Sequence, residues 1–197
     1  FIQFKHTVFA LPFALCSYIL VSVKIGFQIN DLVLILLALV SARIFGMSIN
    51  RIFDVNIDKK NPRTMNRGLV TGSISFKGAY LMALMSLLIF YLVVINFNIN
   101  ALYLSPIVII LFLIYPLTKR FTFLCHYFLG LVYLIAPPAV EIALTGKFSL
   151  ETFSLGIAGF FWVSGFDLIY AILDIDFDNQ NNIYSIPSKF GVRITKI

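Results

Sequence analysis

Asp54 and Asp58 lie four residues apart, with Asn50 four before them; Asp174 and Asp178 repeat the spacing, with Tyr170 four before and Asp167 further up. On a helix, residues four apart share one face. Two carboxylates stacked in this way repel each other, and the cost rises near a bilayer. A hard divalent cation relieves that repulsion. Mg²⁺ takes carboxylate oxygens, keeps waters, and completes its shell with substrate phosphates. Two facing acidic pairs with basic residues nearby therefore suit a diphosphate bridged by metal. The competing reading makes them exposed loop acids paired with Lys59, Lys60 or Arg63. The repeated spacing at the same side argues against it.

The elements that hold these residues are membrane spans. Of the 197 residues 60% are hydrophobic and only 12% charged, against about 45–50% and about 25% in soluble domains. Mean hydropathy is +0.95. Six apolar segments are expected, at 7–27, 31–50, 74–95, 101–118, 122–145 and 151–173, each near the roughly 20 residues that cross a bilayer. The fold class is all-α: a polytopic transmembrane helix bundle forming one domain over 1–197. Beginning at Phe1 rather than Met, the chain is expected to be part of a longer gene product. With no signal peptide in view, the first apolar run is expected to be a span. Cys16 and Cys125 lie in apolar runs and are expected to be packing residues.

Net charge is +6, and its placement matters more than its sum. Lys59, Lys60, Arg63 and Arg67 follow the second segment, Lys119 and Arg120 the fourth, and Lys189, Arg193 and Lys196 the sixth. Loops after the odd segments hold little. The positive-inside rule then puts the even loops, both termini and both acidic motifs on the cytoplasmic side. The partners expected are a lipid bilayer and small molecules, with no nucleic acid.

The matching text is Arg43, then Asn50-Arg51-x-x-Asp54-x-x-x-Asp58-x-x-Asn61-Pro62-Arg63-Thr64-x-x-Arg67, then Asp167-x-x-Tyr170-Ala171-x-x-Asp174-x-x-x-Asp178. Tyr115-Pro116-x-x-Lys119-Arg120-Phe121-Thr122 and His6-Thr7-x-Phe9-Ala10-Leu11-Pro12-Phe13 add to it. Together they resemble the UbiA superfamily of intramembrane prenyltransferases, in its 4-hydroxybenzoate polyprenyltransferase-like branch. By analogy of fold the resemblance implies about nine helices, of which this chain has six. Many relatives read Asn-Asp where this chain has Asn50-Arg51. The Asn-Arg form is similar to a subgroup found where menaquinone is made through futalosine. With Arg51 in place of an acid, the second motif, through Asp174, Asp176 and Asp178, is expected to hold more of the metal charge.

The resemblance implies Mg²⁺-dependent transfer of a polyprenyl chain from its diphosphate to an aromatic acceptor in quinone biosynthesis. It implies a bacterial cytoplasmic (inner) membrane protein with its active site toward the cytoplasm. Asp54, Asp58, Asp174 and Asp178 would hold the metal. Arg63, Arg67, Lys119 and Arg120 would contact the diphosphate. Tyr170 would stabilise the allylic cation or touch the diphosphate, or else pack at the interface. Asp167, inside a span, is read as a metal-supporting or proton-accepting group. Arg43 is either the anchor of an aromatic carboxylate or a partner of an Asp. Asn50 would bond a metal-bound water or the acceptor. His6 is placed at the interface, and Glu141 has no role. Alternative acceptors are a futalosine-pathway precursor, a dihydroxynaphthoate or haem. A transporter is the alternative of another class, and it predicts acids deep in several spans on both leaflets.

Overall fold

The structure, a computed structural model, describes residues 9–196; His6 and Thr7 lie outside them. Six helices match the six apolar segments. They are α1 (Leu11–Ile25), α2 (Ile29–Asp58), α4 (Phe76–Val94), α5 (Ile99–Thr118), α6 (Cys125–Thr145) and α7 (Leu150–Ala171). A four-residue α3 (Gly68–Thr71) lies between α2 and α4, and α8 (Ile175–Gln180) and α9 (Ile186–Thr195) follow α7. No strand occurs among the described residues, as the all-α reading expects. Five runs are long and apolar enough to cross a membrane, with Leu150–Gln180 taken as one; α1 is shorter.

The helices pack as antiparallel neighbours, α6 most extensively on α7 and α2 on α4. Small residues set the closeness. A Cβ on Gly156 would stand 2.2 Å from the Leu134 carbonyl, and one on Gly46 would stand 2.3 Å from the Phe112 ring. Without a side chain at these points the backbones approach as they do in other membrane bundles. Ala42, Phe45, Ile49, Phe90, Ile109 and Phe112 form the largest buried cluster, joining α2, α4 and α5. Many large apolar side chains on α4, α5 and α7 stay exposed, among them Leu84, Tyr103, Phe161 and Trp162. That is the surface a lipid-facing bundle presents.

The two ends of the bundle differ. At one, the loops are short and tied locally. The Tyr18 hydroxyl donates to the Gln28 carbonyl at 2.6 Å and accepts from its amide at 3.1 Å, closing the α1–α2 turn. Glu141, left without a role above, has a structural one. Its Oε2 accepts from the Ser149 amide, the Ser149 hydroxyl and the Thr152 hydroxyl, at 2.6–2.8 Å, and so caps the start of α7. Deeper in the bundle the Ser17 hydroxyl donates to the Pro137 carbonyl at 2.7 Å, serving α6 backbone near the Pro137-Pro138 pair. The other end carries the functional groups. α2 has 30 residues, a length of about 45 Å, against about 30 Å of hydrocarbon. Its last turns, with Asp54 and Asp58, lie beyond the length that a span needs.

Candidate active site

A cavity of about 750 Å³ opens at that end. It is lined by Asp54, Asp58, Asp167, Asp174 and Asp178, and by Tyr170 and Asn50. Arg43, Arg51, Arg63, Arg67 and Lys119 line it too. The structure thus brings both acidic motifs together in one space. Five formal negative charges face five formal positive ones among the described lining residues.

The first motif stands on an unbroken helix. Asp54 and Asp58 are 2% and 4% exposed. Asp54 Oδ2 accepts from Lys119 Nζ at 2.5 Å. Asp58 accepts from Arg67 Nη1 at both oxygens, at 2.6 and 2.7 Å. The second motif is not the helical stack that its spacing predicts. α7 stops at Ala171, and Ile172–Asp174 is a 3-10 turn before α8 resumes. The tighter turn rotates its residues off the i, i+4 line. Asp174 meets the guanidinium of Arg63 through both oxygens, with Asn61 Nδ2 adding a bond at 3.0 Å. Asp178 accepts from the Ser185 hydroxyl at 2.9 Å. Asp176 is exposed and outside the cavity lining. The second motif therefore brings two acids to the site rather than three.

Residues 59–67 link the motifs. Asn61 Oδ1 accepts from the Arg63 amide at 2.8 Å, a local turn typical of Asn. The turn sends Arg63 to the second motif, while Arg67 reaches back to the first. The hydrogen bond to Asp174 raises the Arg63 pKa above its usual value, outweighing burial. The Arg63 guanidinium also sits 5.8 Å from the Tyr170 ring centre. Arg120 takes another path. Its Nη2 donates to the Phe53 carbonyl at 2.6 Å, and it is not in the cavity lining. Successive positions at a helix end point about 100° apart, so Lys119 faces the cavity and its neighbour does not.

Arg43 lies at the deep end, where it also borders a second cavity of about 390 Å³ between α1, α2, α4, α5 and α6. Apolar side chains line that space almost entirely. Arg43 Nε is buried without a partner. Two groups escaped the sequence reading. His126 lines the cavity with Nδ1 2.7 Å from Asp167 Oδ2. Ser185 anchors Asp178. A titratable residue at the head of an apolar run was the available signal for His126.

Mg²⁺ fits this donor set in one specific sense. No group of three or more His, Cys, Asp or Glu among the described residues is gathered as a metal cage. The facing acids offer only oxygen, however, and Asp54 Oδ1 is buried without a partner. Mg²⁺ commonly binds through one or two carboxylates and completes its shell with phosphates and water. The residues suit an ion that arrives with a diphosphate rather than one held in advance.

A family profile for the UbiA prenyltransferase family matches residues 10–197. Over 164 residues, 83% of this chain, the sequence is 36% identical to a 4-hydroxybenzoate octaprenyltransferase of Shewanella piezotolerans. The chain spans 57% of that relative's length. In structure it is similar to a UbiA homolog from Aeropyrum pernix K1, with TM-score 0.87 and 36% identity over 97% of this chain and 72% of that one. A UbiA homolog from Archaeoglobus fulgidus bound to GPP and Mg²⁺ has TM-score 0.74, over 96% of this chain and 67% of that one. At 21% identity that second likeness speaks to the fold alone. With the profile covering nearly every described residue and both acidic motifs facing one cavity, the chain belongs to the UbiA prenyltransferase family.

Proposed function

We propose that the protein transfers a polyprenyl group from its diphosphate to an aromatic acceptor of the 4-hydroxybenzoate type, with Mg²⁺, at the cytoplasmic face of a bacterial inner membrane. The observation that carries this reading is the meeting of both acidic motifs with Arg63, Arg67 and Lys119 in one cavity at one end of an apolar bundle. The basic loops at that end support the orientation. A single domain, continued by further helices in the whole protein, is the organisation that goes with it.

Mg²⁺ would be held by Asp54, Asp58, Asp174 and Asp178, and it supplies charge stabilisation to the departing diphosphate. The chain's own groups do the rest. Lys119, Arg63 and Arg67 turn from their carboxylates to phosphate oxygens, where a preplaced cation favours the charge that builds up as the C–O bond breaks. The Tyr170 ring, on the cavity wall, faces the allylic carbon as that carbon becomes cationic. Asn50 hydrogen-bonds the acceptor or a water. Arg43, with a free buried Nε, pairs with the acceptor's carboxylate. The apolar side chains around the polar cavity keep water from quenching the cation.

The test is prenyl transfer by membranes containing the full-length protein. They are supplied with labelled polyprenyl diphosphate, with and without Mg²⁺, and with 4-hydroxybenzoate, a dihydroxynaphthoate or a futalosine-type precursor in turn. Mg²⁺-dependent labelling of 4-hydroxybenzoate is the expected result; labelling of another acceptor moves the substrate, and labelling of none ends the enzyme reading. A transporter is disfavoured by the far end of the bundle, where Glu141 is consumed by Ser149 and Thr152 and Glu151 pairs with Lys24 at the surface.

A further inference from the structure

Aromatic prenylation has a second half that the metal and diphosphate groups do not serve. When the ring carbon attacks, its π pair forms the new C–C bond, and the electron pair of the broken C–O bond leaves with diphosphate. The ring is then cationic, and it regains aromaticity only by losing the hydrogen on the attacked carbon as a proton. Asp54, Asp58, Asp174 and Asp178 are engaged by cations or by Ser185 at the mouth of the site. A proton acceptor is needed deeper, beside the ring.

The cavity wall holds one. His126 opens α6 and Asp167 lies on α7, the two helices that pack most closely. Both line the cavity, and His126 is 3% exposed. Its Nδ1 is 2.7 Å from Asp167 Oδ2, whereas Nε2 is buried and has no hydrogen-bond partner. In the neutral imidazole, a carboxylate on one ring nitrogen fixes the proton there and leaves the lone pair on the other. A buried imidazole nitrogen with nothing to bond is costly to keep, and this one belongs to a residue that lines the reaction cavity. The Ser164 hydroxyl donates to the His126 carbonyl at 3.4 Å, tying the start of α6 to α7. Asp54, Asp58, Asp174 and Asp178 on the wall each already accept a hydrogen bond from a side chain; His126 Nε2 has no such partner.

We infer that His126 is the general base of the reaction, taking the ring proton at Nε2 while Asp167 orients the imidazole and stabilises the imidazolium. Asp167 stays ionised throughout, and the proton afterwards leaves from Nε2 to water as product departs. This gives Asp167 a positioning role through His126 instead of a place on the metal. The inference rests on the aromatic prenyl transfer proposed above.

The experiment compares wild-type and His126→Asn full-length protein in membranes, with 4-hydroxybenzoate either protiated or deuterated at the carbons flanking the hydroxyl-bearing carbon. Asn keeps an amide donor for Asp167 and removes Nε2. The expected result is a fall of about 10²-fold in kcat, an unchanged KM for the prenyl diphosphate, and a deuterium isotope effect in the variant that the wild type lacks. The isotope effect appears because proton loss has become the slow step. His126→Gln, which also lacks a basic nitrogen, should behave alike if the Asn variant inserts poorly. Wild-type turnover in either variant, or slow turnover with no isotope effect, overturns the role. Failure of the wild type itself to prenylate 4-hydroxybenzoate in Mg²⁺ defeats the functional reading first, and is seen before any variant is made.

Discussion

The two acidic motifs share a spacing and differ in how they are built. In the first, Asp54 and Asp58 stand on the last turns of a 30-residue helix, nearly sealed from solvent, each holding a long basic side chain. In the second, the helix breaks into a 3-10 turn at Ile172–Asp174. Asp174 and Asp178 are held by groups from loops: Asn61 and Arg63 on one side, Ser185 on the other. One motif is fixed by its own helix, and the other by what folds over it. Equal spacing in a sequence therefore does not mean equal rigidity in the site.

The largest effect should come from the rigid half. Asp54→Ala removes a buried oxygen pair and leaves Lys119 without its partner, and should lower kcat/KM for prenyl transfer about 10³-fold. If Asp178→Ala costs as much, the two halves are equivalent and the contrast fails. Next comes the loop that holds the second motif. Arg63→Ala loses charge-assisted bonds worth about 2 kcal/mol, roughly thirtyfold, mainly as a higher KM for the diphosphate. Arg63→Lys should recover only part of this, because a point charge cannot replace a two-toothed contact. Ser185→Ala removes one hydrogen bond from Asp178, about 1 kcal/mol, and should lower kcat/KM roughly fivefold. The smallest effect belongs to Arg120→Ala, below about twofold in the same assay, a surface-level change. A large loss there would mean that Arg120 leaves Phe53 for the diphosphate during turnover.

Much of this was legible in residue types. The apolar runs gave six helices, with ends within about four residues except at α2, which runs on from the expected 50 to Asp58; a span length is imposed by the bilayer and not by contacts. The motif acids and Arg63, Arg67 and Lys119 were legible because charges beside a membrane need a reason. The 3-10 break was not. Ile172 and Leu173 carry no Gly or Pro to mark it, and the partners of Asp174, Asn61 and Arg63, lie 113 and 111 residues away in the chain. Lys119 and Arg120 look alike in sequence, and only their directions around the α5 end separate them. The His126–Asp167 pair joins residues 41 apart on different helices, and no local pattern encodes that.

The balance of charge on the cavity wall has a consequence of its own. Five acids facing five bases leave the compartment with no net formal charge from these groups before anything enters. A lone divalent cation or a lone diphosphate would each leave a net charge in the cavity that only solvent ions could offset. The two together leave little. Loading should therefore be cooperative, each ligand raising the other's affinity by the same factor, as linkage requires. The bundle would then work as a coincidence detector, answering weakly to free magnesium or to stray polyphosphates and best to the salt of the two.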